Sequence, residues 1–256
     1  MISVPFETFS NGNNILGVWD EPDNTNNLPY KKVCLVCVGL NGNRIEKNRM
    51  LIKLSRALTS NGISVVRFEY RGIGVSDGNF CDVSISTKVD DIKKVINTIY
   101  DTSSVDVELS LLSYSDGISI VLHMLEEVKI EFNKLIAWSP ILVPVQSESK
   151  EPIRFVREPN SKQLVVPFGG LWLGKEYLKD ISNYDDLIGK LQPYANKTKC
   201  IFGMADVKVK KTIEALDKNT DIKKSFICGA NHEFSANVWL EEVILQTLKW
   251  LKNQEE

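Results

Sequence analysis

The chain has little that would suit it to a charged polymer, a membrane or a disulfide framework. Its 31 basic and 33 acidic residues leave a formal net charge of −2, so no broad positive field awaits a phosphate backbone, which argues against a nucleic-acid partner. Nowhere do about 18 apolar residues run together. The stretch Leu135 to Val145 is short and broken by two prolines, so no stable membrane insertion is expected. The opening residues Met1 to Glu7 lack the basic stretch and apolar run of a signal peptide, and a cytoplasmic protein is expected. Five cysteines among 256 residues are too few for a disulfide scaffold. Two histidines far apart, with cysteines mostly on strands, make no metal set. No G-x-G-x-x-G opens a helix after the first strand, so neither a dinucleotide nor another cofactor is expected.

What is present is ordinary globular material, 43% hydrophobic and 25% charged, enough to bury one large core. Asn11-Gly12 lies between two short extended runs, Pro5 to Phe9 and Asn14 to Trp19, which marks a hairpin. From there strands and helices alternate. Apolar strands are read at Val33–Val38, Ile63–Phe68, Leu109–Leu112, Leu135–Trp138, Cys200–Met204 and Ser225–Cys228. Leu51, Leu54 and Leu58 fall at helical spacing. Asn43 with Glu46 three residues on reads as the capping box of that helix. Cys34 and Cys37 have C-x-x-C spacing but lie in a strand, where positions three apart face opposite sides, so they read as core. Continuously apolar strands alternating with helices predict an α/β fold, a mostly parallel sheet covered by helices on both faces. Residues 143–195 break the rhythm with aromatic residues at no clean period. They read as an insertion in a single domain spanning residues 1–256.

Leu111-Leu112-Ser113-Tyr114-Ser115-Asp116-Gly117-Ile118 carries the chemistry. An apolar strand enters an S-x-S-x-G turn and an apolar helix leaves it, the context in which a sharp turn projects a nucleophilic serine. Ser115 is the central position, and its plain alternative is a helix N-cap. A serine needs a base. His123 sits mid-helix, whereas His232 lies in a loop between the last strand and the last helix. Asp206 follows an apolar strand and would orient the imidazole, its plain alternative again being an N-cap. An oxyanion hole would use backbone N–H groups of Asp116 and, by position, of Leu40 in Gly39-Leu40-Asn41-Gly42. The Asp116 carboxylate would oppose an oxyanion unless it turns toward the helix N-terminus and its dipole.

Four segments together resemble the α/β-hydrolase superfamily, nearest to its lysophospholipase, serine aminopeptidase and cinnamoyl esterase group. Glu69-Tyr70-Arg71-Gly72-Ile73-Gly74-Val75-Ser76 is similar to a D-x-R-G-x-G-x-S loop, and Gly39 to Gly42 to an H-G-x-x-G oxyanion loop. The elbow and the His232 loop match in position. Val38 stands where that pattern has histidine, Glu69 where it has aspartate, and Ser113 where it has glycine. The resemblance implies the α/β-hydrolase fold with a small cap at 143–195. It also implies a serine hydrolase acting on an ester or thioester through an acyl-enzyme on Ser115. Val165 to Leu173 reads as an apolar lid element, so an apolar acyl group is expected, bound by Phe168, Trp172 and Tyr177. An acyltransferase or carrier-linked thioesterase would use the same triad. A hydrolase-fold protein that binds a ligand without catalysis is the rival from another class.

Overall fold

In the computed structural model, which describes residues 1–23, 30–143, 154–159, 161–182, 186–219 and 222–254, the chain opens on a hairpin. Strands β1 (Ile2–Ser10) and β2 (Asn13–Glu21) pair antiparallel with Ser10 opposite Asn13. Asn11 and Gly12 between them both take positive φ, the two-residue turn whose hand matches strand twist. The hairpin joins the sheet through β4 (Ser64–Phe68), to which β2 runs antiparallel. Every other pairing in this sheet is parallel. In order across the sheet, β4 is followed by β3 (Tyr30–Cys37), β5 (Asp106–Tyr114), β6 (Leu135–Trp138), β10 (Thr198–Gly203) and β11 (Lys223–Ile227). This eight-stranded sheet is the architecture its alternating pattern predicts.

Burial explains why the strands read as unbroken apolar runs. All residues of β4, β6 and β10 are buried, as are Val33 to Cys37 of β3. A strand buried on alternate faces must be covered on both. The helices form two packed groups that provide this cover. One joins α1 (Met50–Thr59) to α7 (Asn237–Leu251), and the other runs from α2 (Ile85–Thr102) through α3 (Gly117–Glu127) and α5 (Leu187–Leu191) to α6 (Lys210–Asn219). Trp138, fully buried in β6, donates its indole N–H to Thr247 of α7 at 2.8 Å. Cys34 and Cys37 are fully buried, and burial pushes the Cys34 thiol up to about 12. They pack as small hydrophobes. Among the described residues no helix is long and apolar enough to cross a membrane.

Two local readings change. Asn43 and Glu46 do exchange side-chain bonds, Glu46 N–H to Asn43 Oδ1 and Asn43 N–H to Glu46 Oε1, both 2.9 Å. However, they close a turn ahead of α1, not the helix itself. Asn48 and Arg49, both at positive φ, break the chain before Met50. Within residues 143–195, of which 144–153, 160 and 183–185 lie outside the described residues, a three-stranded antiparallel sheet appears. It comprises β7 (Val156–Arg157), β8 (Leu164–Phe168) and β9 (Leu171–Gly174), followed by α4 (Lys175–Ser182). Gly169-Gly170, both at positive φ, turns β8 into β9. A Gly-Gly pair between two apolar runs is a hairpin signal.

The join between hairpin and parallel sheet is secured by a buried charge network. Asp20 of β2, fully buried, accepts Arg67 Nε at 2.9 Å and Nη2 at 2.7 Å, and also Ser3 and Ser55 hydroxyls. Removing one member leaves a buried charge unmatched. Asp20→Ala should lower the urea unfolding free energy by about 3–5 kcal/mol. A loss within about 0.5 kcal/mol, the usual effect of a surface change, would contradict this account of the join.

Candidate active site

β5 ends at Tyr114 and α3 begins at Gly117, so the chain reverses over two residues. Ser115 carries the strain, at φ 59°, a left-handed conformation costly for a side chain with a Cβ. Gly117 must be glycine. A Cβ there would lie 2.5 Å from the Cys37 carbonyl oxygen and within 3.0 Å of Val38. Ser113, where the resembling pattern has glycine, is buried and donates its hydroxyl to the Ile136 carbonyl of β6 at 3.4 Å. The extra oxygen is thereby accommodated.

The turn presents Ser115 Oγ 2.9 Å from His232 Nε2, and His232 Nδ1 lies 2.6 Å from Asp206 Oδ2. His232 arrives from the loop after β11, and Asp206 from the loop after β10. Asp206 is 4% exposed and divides its two oxygens. Oδ2 faces the imidazole, while Oδ1 accepts the Lys208 N–H at 3.0 Å and caps the short turn Val207–Val209. The capping and imidazole-orienting readings of Asp206 are therefore compatible. Tyr114 supports the imidazole from beside it, ring centroids 5.6 Å apart, and its hydroxyl donates to the His232 carbonyl at 3.3 Å. Burial pushes the Tyr114 phenol well up, keeping it a neutral donor. His123 sits apart on α3, its Nδ1 near Lys190 at 3.4 Å.

The expected oxyanion donors are less simply arranged. The Leu40 N–H is directed at the Asp116 carboxylate, 3.2 and 3.3 Å from its oxygens. Asp116 therefore does not turn toward its own helix N-terminus, where it makes no side-chain cap bond. It folds back over the loop after β3. Tyr177 of α4 donates to the same carboxylate at 3.2 Å. Tyr177, expected among the substrate-binding aromatics, is fully buried. It ties the 143–195 segment to the elbow, and the bond from Ile85 N–H to Asp180 at 2.8 Å ties the same helix to α2.

A cavity of about 440 Å³ opens over Ser115 and His232, with Leu40, Asn41, Phe168 and Lys208 in its walls. An ion pair between Lys47 and Glu233 lies at its rim. Phe168 stacks on Phe80, centroids 6.4 Å apart. Beyond that pair lies a second hollow of about 570 Å³, lined by Phe80, Cys81, Leu171 and Trp172. Of the expected aromatics, Phe168 thus borders the serine and Trp172 the neighbouring hollow.

One group near the site escaped the sequence reading. Lys88 of α2 is fully buried, its Nζ 2.8 Å from both the Gly39 and Leu40 carbonyl oxygens. Its signal was available: Lys88 and Asp91 occupy the same helical stripe as Ile85, Val89, Ile92 and Ile96. Burial pulls the Lys88 ammonium down to about 7, against the opposing pull of Asp116 and Asp91.

A family profile described as serine aminopeptidase, S33, matches residues 30–188, which include the elbow and more than half the chain. The chain belongs to the serine aminopeptidase S33 family. No curated protein sequence matches it. Among solved structures it is similar to Est1E from Butyrivibrio proteoclasticus with ferulic acid bound, at TM-score 0.79 and 18% identity over 97% of this chain and 98% of that one. It is also similar to the α/β-hydrolase GrgF from Penicillium sp. sh18, at 0.74 and 14% over 99% of each chain. A third is XC6422 from Xanthomonas campestris, described as an α/β serine hydrolase without lid, at 0.65 and 17% over 98% and 94%. The fold is that of the α/β-hydrolases, as the sequence resemblance implies.

Two measurements test this construction. Gly117→Ala should force α3 away from the end of β3, costing about 1–3 kcal/mol in urea unfolding and slowing reaction of Ser115 with a fluorophosphonate. An unchanged stability would contradict the close approach. Lys88 has a lower pKa folded than unfolded, so from pH 7 to about 10 the unfolded chain binds the extra proton and stability rises with pH. The unfolding free energy of wild type minus that of Lys88→Met should therefore climb over this window. A flat difference would contradict a folded-state pKa pulled below the unfolded one by burial.

Proposed function

We propose that the protein is a serine hydrolase that cleaves an ester or thioester of an apolar acyl group through an acyl-enzyme on Ser115. The observation that carries this reading is the unbroken hydrogen-bonded chain from Ser115 Oγ through His232 to the buried Asp206. In it His232 takes the Ser115 proton as Oγ attacks the acyl carbonyl, and Asp206 holds the imidazole in one tautomer and stabilises the imidazolium. The backbone N–H groups of Asp116 and Leu40 receive the tetrahedral oxyanion. The leaving alcohol or thiol takes the proton back from His232, and water then repeats the sequence to free the acid.

An apolar acyl group is supported by the aromatic wall. Phe168 borders the cavity over Ser115, and its stacked partner Phe80 opens onto the hollow with Leu171 and Trp172. Est1E, similar in fold, has been solved with ferulic acid bound. An aryl or medium-chain acyl group lying along Phe168 accounts for both hollows, with the polar rim left to the leaving group. In this reading residues 143–195 act as a cap within one domain, fastened at Tyr177 and Asp180.

Ser115→Ala should abolish fluorophosphonate labelling and lower ester turnover by several orders of magnitude; equal labelling of both proteins would sink the proposal. Across p-nitrophenyl esters, aryl and medium-chain acyl groups should be preferred over acetate. Phe168→Ala should lower their kcat/KM roughly tenfold, equivalent to about 1.4 kcal/mol. A preference for acetate over all longer chains would rule out the acyl pocket while leaving the serine chemistry intact.

A further inference from the structure

The loop that follows β3 is gripped on both of its faces by charged side chains that the triad does not use. On one face, the Lys88 ammonium donates to the Gly39 and Leu40 carbonyls, each at 2.8 Å, and rests 4.4 Å from the Tyr70 ring centroid. A buried ammonium is costly unless its donors are all engaged. Two carbonyls and an aromatic face engage them here. On the other face, the Leu40 N–H meets the Asp116 carboxylate.

The two grips act on one rigid unit. The Gly39 C=O and the Leu40 N–H belong to the same peptide plane, and in a trans peptide they point in opposite directions. The described chain has no cis peptide bond. While Lys88 holds the Gly39 oxygen, the Leu40 N–H must therefore face the other way. Among the described residues the one other backbone partner of that oxygen is the Gly42 N–H at a long 3.4 Å, so the lysine supplies the short bond that fixes the plane. Gly39 is what allows the carboxylate to approach. A Cβ at that position would sit 2.0 Å from Asp116 Oδ1, so any other residue would push Asp116 off.

A purely structural lysine would be a poor filler for this space, since an apolar side chain could occupy it without desolvating a charge. The ammonium does what an apolar side chain cannot, which is to orient peptide dipoles. Asp116 in turn is a negative group held on the amide that an oxyanion needs. We propose that Lys88 is a positioning residue for the reaction at Ser115: it sets the peptide plane that presents the Leu40 N–H, and Asp116 occupies that N–H until the oxyanion of the substrate replaces it. This rests on the assignment of Ser115 as nucleophile. The carboxylate is a placeholder, keeping the amide aimed and satisfied between turnovers, with Tyr177 ready to retain it when it moves.

The test uses the full-length protein, a fluorophosphonate probe and a p-nitrophenyl ester, with Ser115→Ala as the blank. Lys88→Met should still unfold cooperatively, yet lose about 10²–10³-fold in labelling rate and kcat, the loss typical of one oxyanion donor. KM should shift by no more than about threefold, because ground-state binding does not use the amide. A general packing defect would move KM as well. Equal labelling of wild type and Lys88→Met overturns this inference alone, whereas failure of the wild type to label overturns the Ser115 assignment beneath it. If Lys88→Met does not fold, the crystal structure of phosphonylated wild type decides. The phosphonyl oxygen should accept the Leu40 N–H, with Asp116 displaced and Lys88 still on both carbonyls. A phosphonyl oxygen bound elsewhere, with Leu40 still on Asp116, overturns the proposal.

Discussion

The approach of α3 to the end of β3, so close that residue 117 has no room for a side chain, organises everything around the candidate site. It forces the chain to reverse between Tyr114 and Gly117, which drives Ser115 to positive φ and lifts its hydroxyl clear of the strand ends. It also brings residue 116 against the loop after β3. The same contact that builds the elbow therefore places the Asp116 carboxylate over Gly39 and on the Leu40 N–H. The raised Ser115 hydroxyl and the seat of Asp116 on the loop after β3 are two outcomes of one steric constraint.

Around that contact the parallel sheet acts as a common edge. Asp206 and His232 leave neighbouring strands β10 and β11, so one turn's reach from each delivers a carboxylate and an imidazole to a serine on β5. Their positions are set by backbone spacing, with Tyr114 bracing the imidazole. Charges buried near this edge have partners: Arg71 with Asp91, Arg67 with Asp20, and Lys88 with two carbonyls. Arg71 locks the loop that begins at Glu69, and Glu69 itself receives Arg44 and the Val75 N–H. The glutamate therefore supports that loop where the resembling pattern has aspartate.

Much of this was legible in the residues. Asn11-Gly12 named its hairpin, the apolar runs named the strands, and the order of Ser115, Asp206 and His232 along the chain matched their meeting in space. Those features are local, or depend only on which strand end a loop follows. Other features were misread because a short pattern has more than one use. Asn43 and Glu46 made the reciprocal bonds of a capping box, but around a turn. Tyr177 looked like one more cap aromatic, yet its hydroxyl had the half-buried Asp116 carboxylate to reach.

The sequence by itself determined the sheet, the elbow and the identity of the three groups that meet there, because hydrophobic period and turn chemistry act over a few residues. It also carried a hint of the buried lysine, since Lys88 falls on the apolar stripe of its helix. Only the tertiary structure decided what that lysine and Asp116 do. Their partners are carbonyls and an amide about fifty to eighty residues away in sequence, and a peptide plane carries no side chain to announce which way it faces. Its orientation follows from what packs on each side of it, which exists only once β3, α2 and α3 have come together.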